Sequence, residues 1–236
     1  MLVPGCTKLR FSVKGQGRML QVASATRAHR GVSAQDRRDQ RRTALIEAAL
    51  DLFAESGARA ITKRAICARA RLNDRYFYEH FKDTDALLEA LAREFGEAGL
   101  TTVVAATRRA GPSVRAKVHA GAAAVVDFFT ADPRRPSLLI ASHTSDVVQR
   151  TRLASTHHVA QVVSSMSQKS LGDAAPSPTD ADLAAFTLVS GTLELVAAWF
   201  RGEFPTSREH LVEVIAAMLL AASDLSATLA HDLDRT

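Results

Sequence analysis

Thiols and large rings are scarce: two cysteines, Cys6 and Cys67, one tryptophan and two tyrosines, with aromatic residues only 6% of the chain. Thiols so few and so placed imply no disulfide framework. No uninterrupted apolar run of about 18 residues stands out, so no membrane span is expected. Leu2-Val3-Pro4-Gly5-Cys6 lacks the apolar core that a secretory or lipoprotein leader places before such a box. A cytoplasmic chain is expected. Also missing are a P-loop, a dinucleotide fingerprint after a strand, a nucleophile elbow and a metal-ligand cluster; Gly15-Gln16-Gly17 has neither a third glycine nor a strand before it. No catalytic residue, metal or cofactor is therefore expected. Strand-like alternation is rare as well, whereas Ala is abundant and 47% of residues are hydrophobic. With long helical periodicities, that composition favours an all-α protein.

The charge is divided along the chain. Residues 1–82 carry 17 basic and 7 acidic side chains, a net of +10, whereas residues 83–236 carry 13 and 18, a net of −5. Only the N-terminal third is built to meet a polyanion, the pattern of a nucleic-acid module joined to something that need not touch it. A solvated basic tail would explain residues 1–42, with 10 basic and 2 acidic, but not the helix that follows.

That helix lies within Thr62 to Lys82, which reads as two short helices and a tight turn. Ala65, Ile66 and Ala70 face inward from the first, Leu72 plugs the turn, and Phe77 and Phe81 sit one turn apart on the second. Before them, Ile46, Ala49, Leu50 and Phe53 make an amphipathic helix over Thr43 to Ser56 that Gly57 terminates. Thr62 is a good N-cap for the next. The outward face of the second short helix gathers groups that meet bases and phosphates. Asn73, Asp74, Arg75, Tyr76 and His80 are the candidate base contacts; Thr62, Lys63, Tyr78, Lys82 and Thr84 are the candidate phosphate contacts.

From about Arg42 to Arg93 the chain resembles the TetR family of bacterial transcription regulators. The resemblance is carried by Ala48-Ala49-Leu50-Asp51-Leu52-Phe53-Ala54-Glu55-Ser56-Gly57, then Thr62, then Phe77-Tyr78-Glu79-His80-Phe81-Lys82, then Ala86-Leu87-Leu88. It implies an N-terminal three-helix helix-turn-helix head joined to a larger helical domain for ligand binding and dimerisation. Two positions depart from the family pattern: Arg71 stands where the turn usually has Gly, and Thr84 where a phosphate-contacting Lys is common. Residues 1–37, with Gly15, Gly17, Gly31 and scattered Arg and Lys, look like a flexible basic arm, and the resemblance implies a DNA-binding head at 38–83 and an effector-binding and dimerisation domain at 84–236. The arm is either a DNA contact or a disordered tail, or extra sequence upstream of a start at Met19.

In the larger domain, Asp83 caps a long helix from Thr84 to about Arg109 that Gly111-Pro112 ends. Further helices are expected over Ser113 to Thr130, from Ser137 after the loop Asp132 to Pro136, and over Asp146 to Ser170. Thr179 with Asp182 looks like a capping box for a helix to about Arg201, and Ser207 caps the last one. These last two carry apolar stripes beyond what one protomer needs, implying a second copy of the chain. Leu183, Phe186, Ser190, Leu193, Leu211, Ile215, Met218, Ala222 and Leu225 are the candidate interface, with Gly191 allowing close approach. Phe128, Phe129, His119, His143, His157, Phe186 and Trp199 are the candidate lining for a small-molecule effector. Adjacent His157 and His158 lack the i, i+4 spacing of a metal pair. The reading that results is a ligand-responsive repressor bound as a homodimer to a palindromic double-stranded operator. Its competitors are a helical enzyme, and a protein-interaction adaptor that would show no preference among DNA sequences.

Overall fold

The computed structural model describes residues 33–140, 145–172 and 175–222, and among these it shows helices and no strand. The first helix, α1 (Ala34–Ser56), begins at Ala34 rather than near Thr43, because Ser33 and Asp36 form a reciprocal cap, hydroxyl to backbone and carboxylate to backbone. The remainder of the expected arm lies outside the described residues. At the other end Gly57, with φ +71°, donates its N–H to Phe53 O at 2.9 Å and stops the helix.

A 3₁₀ turn at 58–60 leads to α2 (Lys63–Ala70) and α3 (Asp74–Tyr78). Thr62 caps α2 through a hydroxyl that accepts from Ala65 N. Arg71 between them sits at φ 55°, ψ 40°, the one non-glycine residue with positive φ among those described. The backbone therefore adopts the left-handed conformation for which the sequence resemblance led one to expect glycine. The local hydrogen bonds from Arg71 N to Ala68 O and from Leu72 N to Cys67 O hold that residue in a conformation costing about 1–2 kcal/mol.

Helix α4 (Thr84–Arg109), capped by Asp83, extends about 39 Å at the usual helical rise and belongs to both halves of the molecule. Its Leu87, Leu88 and Leu91 join Phe53, Ile66 and Phe77 in the head core. Phe95, on the next turn, packs at the edge of both cores and meets the Phe128 and Phe129 rings at 5.0 and 5.7 Å. The body continues with α5 (Val114–Thr130), α6 (Arg135–Ile140), α7 (Asp146–Leu171), α8 (Pro178–Phe200) and α9 (Arg208–Ala221). Helix α6 starts two residues before the expected Ser137. Helix α8 starts at Pro178 because Ser177, not Thr179, is its cap and proline fits the first helical position.

By length and composition α8 qualifies to cross a membrane, although no apolar run announced it, and 22% of its most apolar window is buried within the protomer. It carries Asp180, Asp182 and Glu194 and packs chiefly on α7. Leu211 and Ile215, assigned from sequence to a partner interface, are instead buried in the protomer's own core against α5. The outward face of the pair is formed by Leu183, Thr187 and Gly191 on α8 and Ala217, Met218 and Ala221 on α9, all exposed. Ser190 and Phe186 are half-buried beside it. Leu193 packs partly into the body core, Ala222 is half-buried at the end of α9, and Leu225 lies outside the described residues.

Candidate nucleic-acid interface and body cavity

Phe77 is fully buried, and its ring lies 5.7 Å from Tyr78 and 6.0 Å from Phe81, so α3 is pinned by one face. Its other face is free. The Arg75 and Lys82 side chains are 84% and 82% exposed, and Tyr78 is exposed beside them. Glu79 lies 3.4 Å from Arg75, on the following turn.

Several of the sequence candidates hold this surface rather than form it. The Asn73 side chain accepts from Tyr76 N at 3.2 Å, so its oxygen caps α3 and is occupied. Asp74 is engaged by Lys63 at 2.5 Å, and Lys63 also donates to the Tyr78 hydroxyl at 3.3 Å with its ammonium 4.9 Å from that ring. The Asp74 carboxylate, then the Tyr78 hydroxyl, raise the Lys63 pKa above its ordinary value. These contacts clamp α3 to the start of α2. Burial, then the arginines at 38 and 41, lower the pKa of His80, whose Nε2 is buried without a hydrogen-bond partner. A neutral, inward ring is not placed to meet a base. Thr84 is half-buried in the first turn of α4.

The first half of α1, where the sequence reading named no DNA contact, adds arginines beside this surface. Arg38 donates to Glu79 O at 3.3 Å, Arg41 lies 3.4 Å from the Glu79 carboxylate and 4.6 Å from the Tyr76 ring centroid, and Arg42 pairs with Glu94. Tyr76 is therefore half-covered by a guanidinium. The i, i+3 and i+4 spacing of these arginines on a capped helix was the signal available in the sequence.

Between head and body lies an ion-paired seam. Arg134, in the loop before α6, reaches Asp51 at 2.6 Å, Glu47 at 2.9 Å and Asp132 at 2.8 Å, and Asp51 in turn lies 3.5 Å from Arg69 of α2. Hydrogen bonding from Arg134 holds the Asp132 carboxyl down at about 2, while Asp132 and then Asp51 raise the arginine further. One body side chain thus touches the helix on which the reading elements rest.

The body holds a cavity of about 320 Å³, partly open to the surface and bounded by α4, α5, α6, α7, α8 and α9. Phe128 and Phe129 line it. The other candidates do not: His119 pairs with Glu213 at the surface, His157 stacks on Phe186 at 4.4 Å outside it, and Trp199 donates to Thr206 O at 2.9 Å. His143 lies outside the described residues. Arg152 was missed, and no local pattern marks it; its side chain comes to the cavity wall only because α7 packs against α4 and α8. Among the described residues no group of three or more His, Cys, Asp or Glu is gathered as a metal site would require.

Comparison with known proteins agrees with this arrangement. Residues 45–91 match the family model described as bacterial regulatory proteins, tetR family. No curated protein sequence shows a significant match. Among solved structures, the fatty acid degradation regulator FadR from Bacillus halodurans superposes with TM-score 0.65 at 18% identity, over 76% of this chain and 94% of that one. A TetR family transcription regulator from Marinobacter aquaeolei VT8 gives TM-score 0.54 at 20% identity, over 80% and 97%. The multidrug binding protein EbrR, solved with imidazole, gives TM-score 0.56 at 20% identity, over 75% and 94%. At such identities the likeness is one of fold.

Proposed function

We propose a mode of action for this chain on the premise that it is a DNA-binding transcriptional regulator of the TetR family: a homodimer places two copies of α3 in successive major grooves of a palindromic operator, and a small molecule in the body releases them. The observation that carries it is the exposed face of α3, where Arg75 and Tyr78 project from a helix whose opposite side is locked by Phe77, with Lys82 exposed in the segment that follows. Arg75 and the exposed edge of Tyr76 read bases. Lys82, Tyr78, Thr62 and Lys63 meet phosphates, with Arg38 and Arg41 extending the basic surface. Asn73, Asp74 and His80 position the helix.

Dimerisation is supported by the outward face of α8 and α9, where Leu183 and Met218 are 63% and 59% exposed. The Gly191 Cα has nothing within 4 Å of where a Cβ would stand, so a second α8 has room to approach. One α3 touches only a few base pairs, and two held at fixed spacing add their binding free energies. Release then requires only a change of spacing. Helix α4, anchored in both cores, and Arg134, joined to α1, transmit it.

FadR is described as a regulator of fatty acid degradation and EbrR as a multidrug binding protein. Neither description transfers by likeness of fold. Selection from a random duplex pool tests the reading: an inverted repeat should be enriched, and Leu183→Glu, monomeric in sedimentation, should lose it. Enrichment of no sequence would reject a regulator in favour of an adaptor with a basic head.

A further inference from the structure

Resting on the reading of the body cavity as the effector site, we propose that its ligand is an elongated aliphatic carboxylate, with the chain along α4 and α7 and the carboxylate on Arg152. The lining runs along α4 from Ala92 to Thr107, about 22 Å at the helical rise, and along α7 from Val148 to Leu171, about 34 Å. The shape is a channel, not a sphere. Its walls are chiefly Val, Leu, Ala and small hydroxyl residues, and among the described residues the aromatic rings on it are those of Phe95, Phe128 and Phe129 at one side. A flexible chain matches such walls better than a flat polycyclic ligand, which needs broad aromatic faces.

The charge of the lining decides the headgroup. Among the described residues, Lys117 and Arg152 are the ionisable ones on the wall, and no carboxylate, histidine or tyrosine lines it. A cationic ligand would be desolvated with no counter-charge. Lys117 stands on the first turns of α5, with Val114, at the end of the channel far from the head, whereas Arg152 lies one turn beyond Val148, which belongs to the head core. Among the described residues, Arg152 uses only Nη1 in a side-chain contact, to Glu194 at 2.8 Å, and its Nε is buried with no partner. The side chain is 19% exposed, so the remaining donors are largely cut off from water. A carboxylate accepts the parallel pair of N–H groups that a guanidinium offers, and its geometry is what this side chain lacks. Ser155 and Thr156 adjoin it on the same wall. Glu194 is the competing carboxylate, and drawing Arg152 from it loosens the tie between α7 and α8, the helix with the outward face.

Isothermal titration of the full chain with hexadecanoic acid, kept below its aggregation concentration, tests this, with hexadecanol and hexadecylammonium as neutral and cationic probes. The acid should bind once per protomer, the alcohol about tenfold more weakly and the ammonium not at all; hexanoic acid should bind far more weakly than hexadecanoic. Arg152→Met should weaken the acid about tenfold and leave the alcohol unchanged. Glu194→Gln, at a half-exposed position, should strengthen the acid several-fold, a gain that a damaged fold does not produce. Equal binding of the three probes, an acid affinity untouched by Arg152→Met, or one unchanged or lowered by Glu194→Gln would overturn the proposal. Duplex titration of the same samples separates the two claims. Selective DNA binding without acid binding removes the ligand class and leaves the regulator; acid binding without selective DNA binding does the reverse.

Discussion

The head and the body solve opposite problems with the same helical material. In the head, Phe53, Ile66, Phe77 and Leu87 are essentially inaccessible to solvent, short helices are fixed by side-chain caps, and almost every apolar side chain meets another. In the body, longer helices approach through Gly96, Gly99 and Gly121, where an added Cβ would meet Ser155, Phe128 or Thr107 at 2.8 to 3.4 Å, and they leave a channel between them. A reader has to keep one geometry, whereas a sensor has to have two. Close packing gives the first and a cavity permits the second.

Matched truncations should expose that contrast most strongly. Leu87→Ala in the head core is expected to cost about 4–5 kcal/mol and to abolish operator binding, whereas Leu188→Ala on the channel wall should cost about 2 kcal/mol, because it widens space that already exists. Chemical denaturation of both variants checks this, and equal losses would erase the distinction.

Next in size is the seam. Arg134→Met leaves Asp51, Glu47 and Asp132 facing one another, and is expected to destabilise by about 1–3 kcal/mol, discounted because these groups are partly solvated. Far-ultraviolet and tryptophan-fluorescence unfolding curves, coincident in the parent, should separate, since Trp199 reports the body alone. The same seam gives an acid limb. Asp132 falls from an ordinary 3.8 to about 2 on folding, so its contribution is full above about 4 and is lost as pH drops through about 2. Asp132→Asn should flatten that limb.

A smaller pH effect belongs to the head. The lowered pKa of His80 means that the unfolded chain binds the proton more readily, so stability is full above the ordinary 6.5 and declines as pH falls below it. His80→Gln should flatten that decline, read from denaturation midpoints across the pH series. Smallest of all, Arg71→Gly should stabilise the head by about 0.5–1 kcal/mol, relief of the left-handed strain being offset in part by unfolded-chain entropy. A loss of stability there would show that the arginine side chain contributes more than its backbone costs.

The same contrast explains what the sequence disclosed. Head elements were legible because their determinants are local: Thr62 and Asp83 cap by short polar reach, and Phe77 and Phe81 share a face by helical period. Asn73 misled for the same local reason, since a polar residue at a helix start serves as a cap as readily as a reader. The Ser33 and Asp36 cap was readable but obscured by its basic surroundings. In the body, Leu211 and Ile215 carry the stripe that suggested a partner, yet periodicity does not say which neighbour covers it. Arg134 and Arg152 act across 83 and 42 residues of chain, to Asp51 and Glu194, and the channel is walled by Val, Ala and Gly rather than by the rings that mark a pocket in sequence.

The most direct test is anisotropy titration of the selected duplex and of single-base-pair variants, with Arg75→Ala and Lys82→Ala, across a salt series. Lys82→Ala should weaken every duplex alike and lower the salt slope by about 1, whereas Arg75→Ala should cost roughly 1–3 kcal/mol on the parent duplex and nothing once its base pair is changed. Uniform losses for both variants on every duplex would contradict the account.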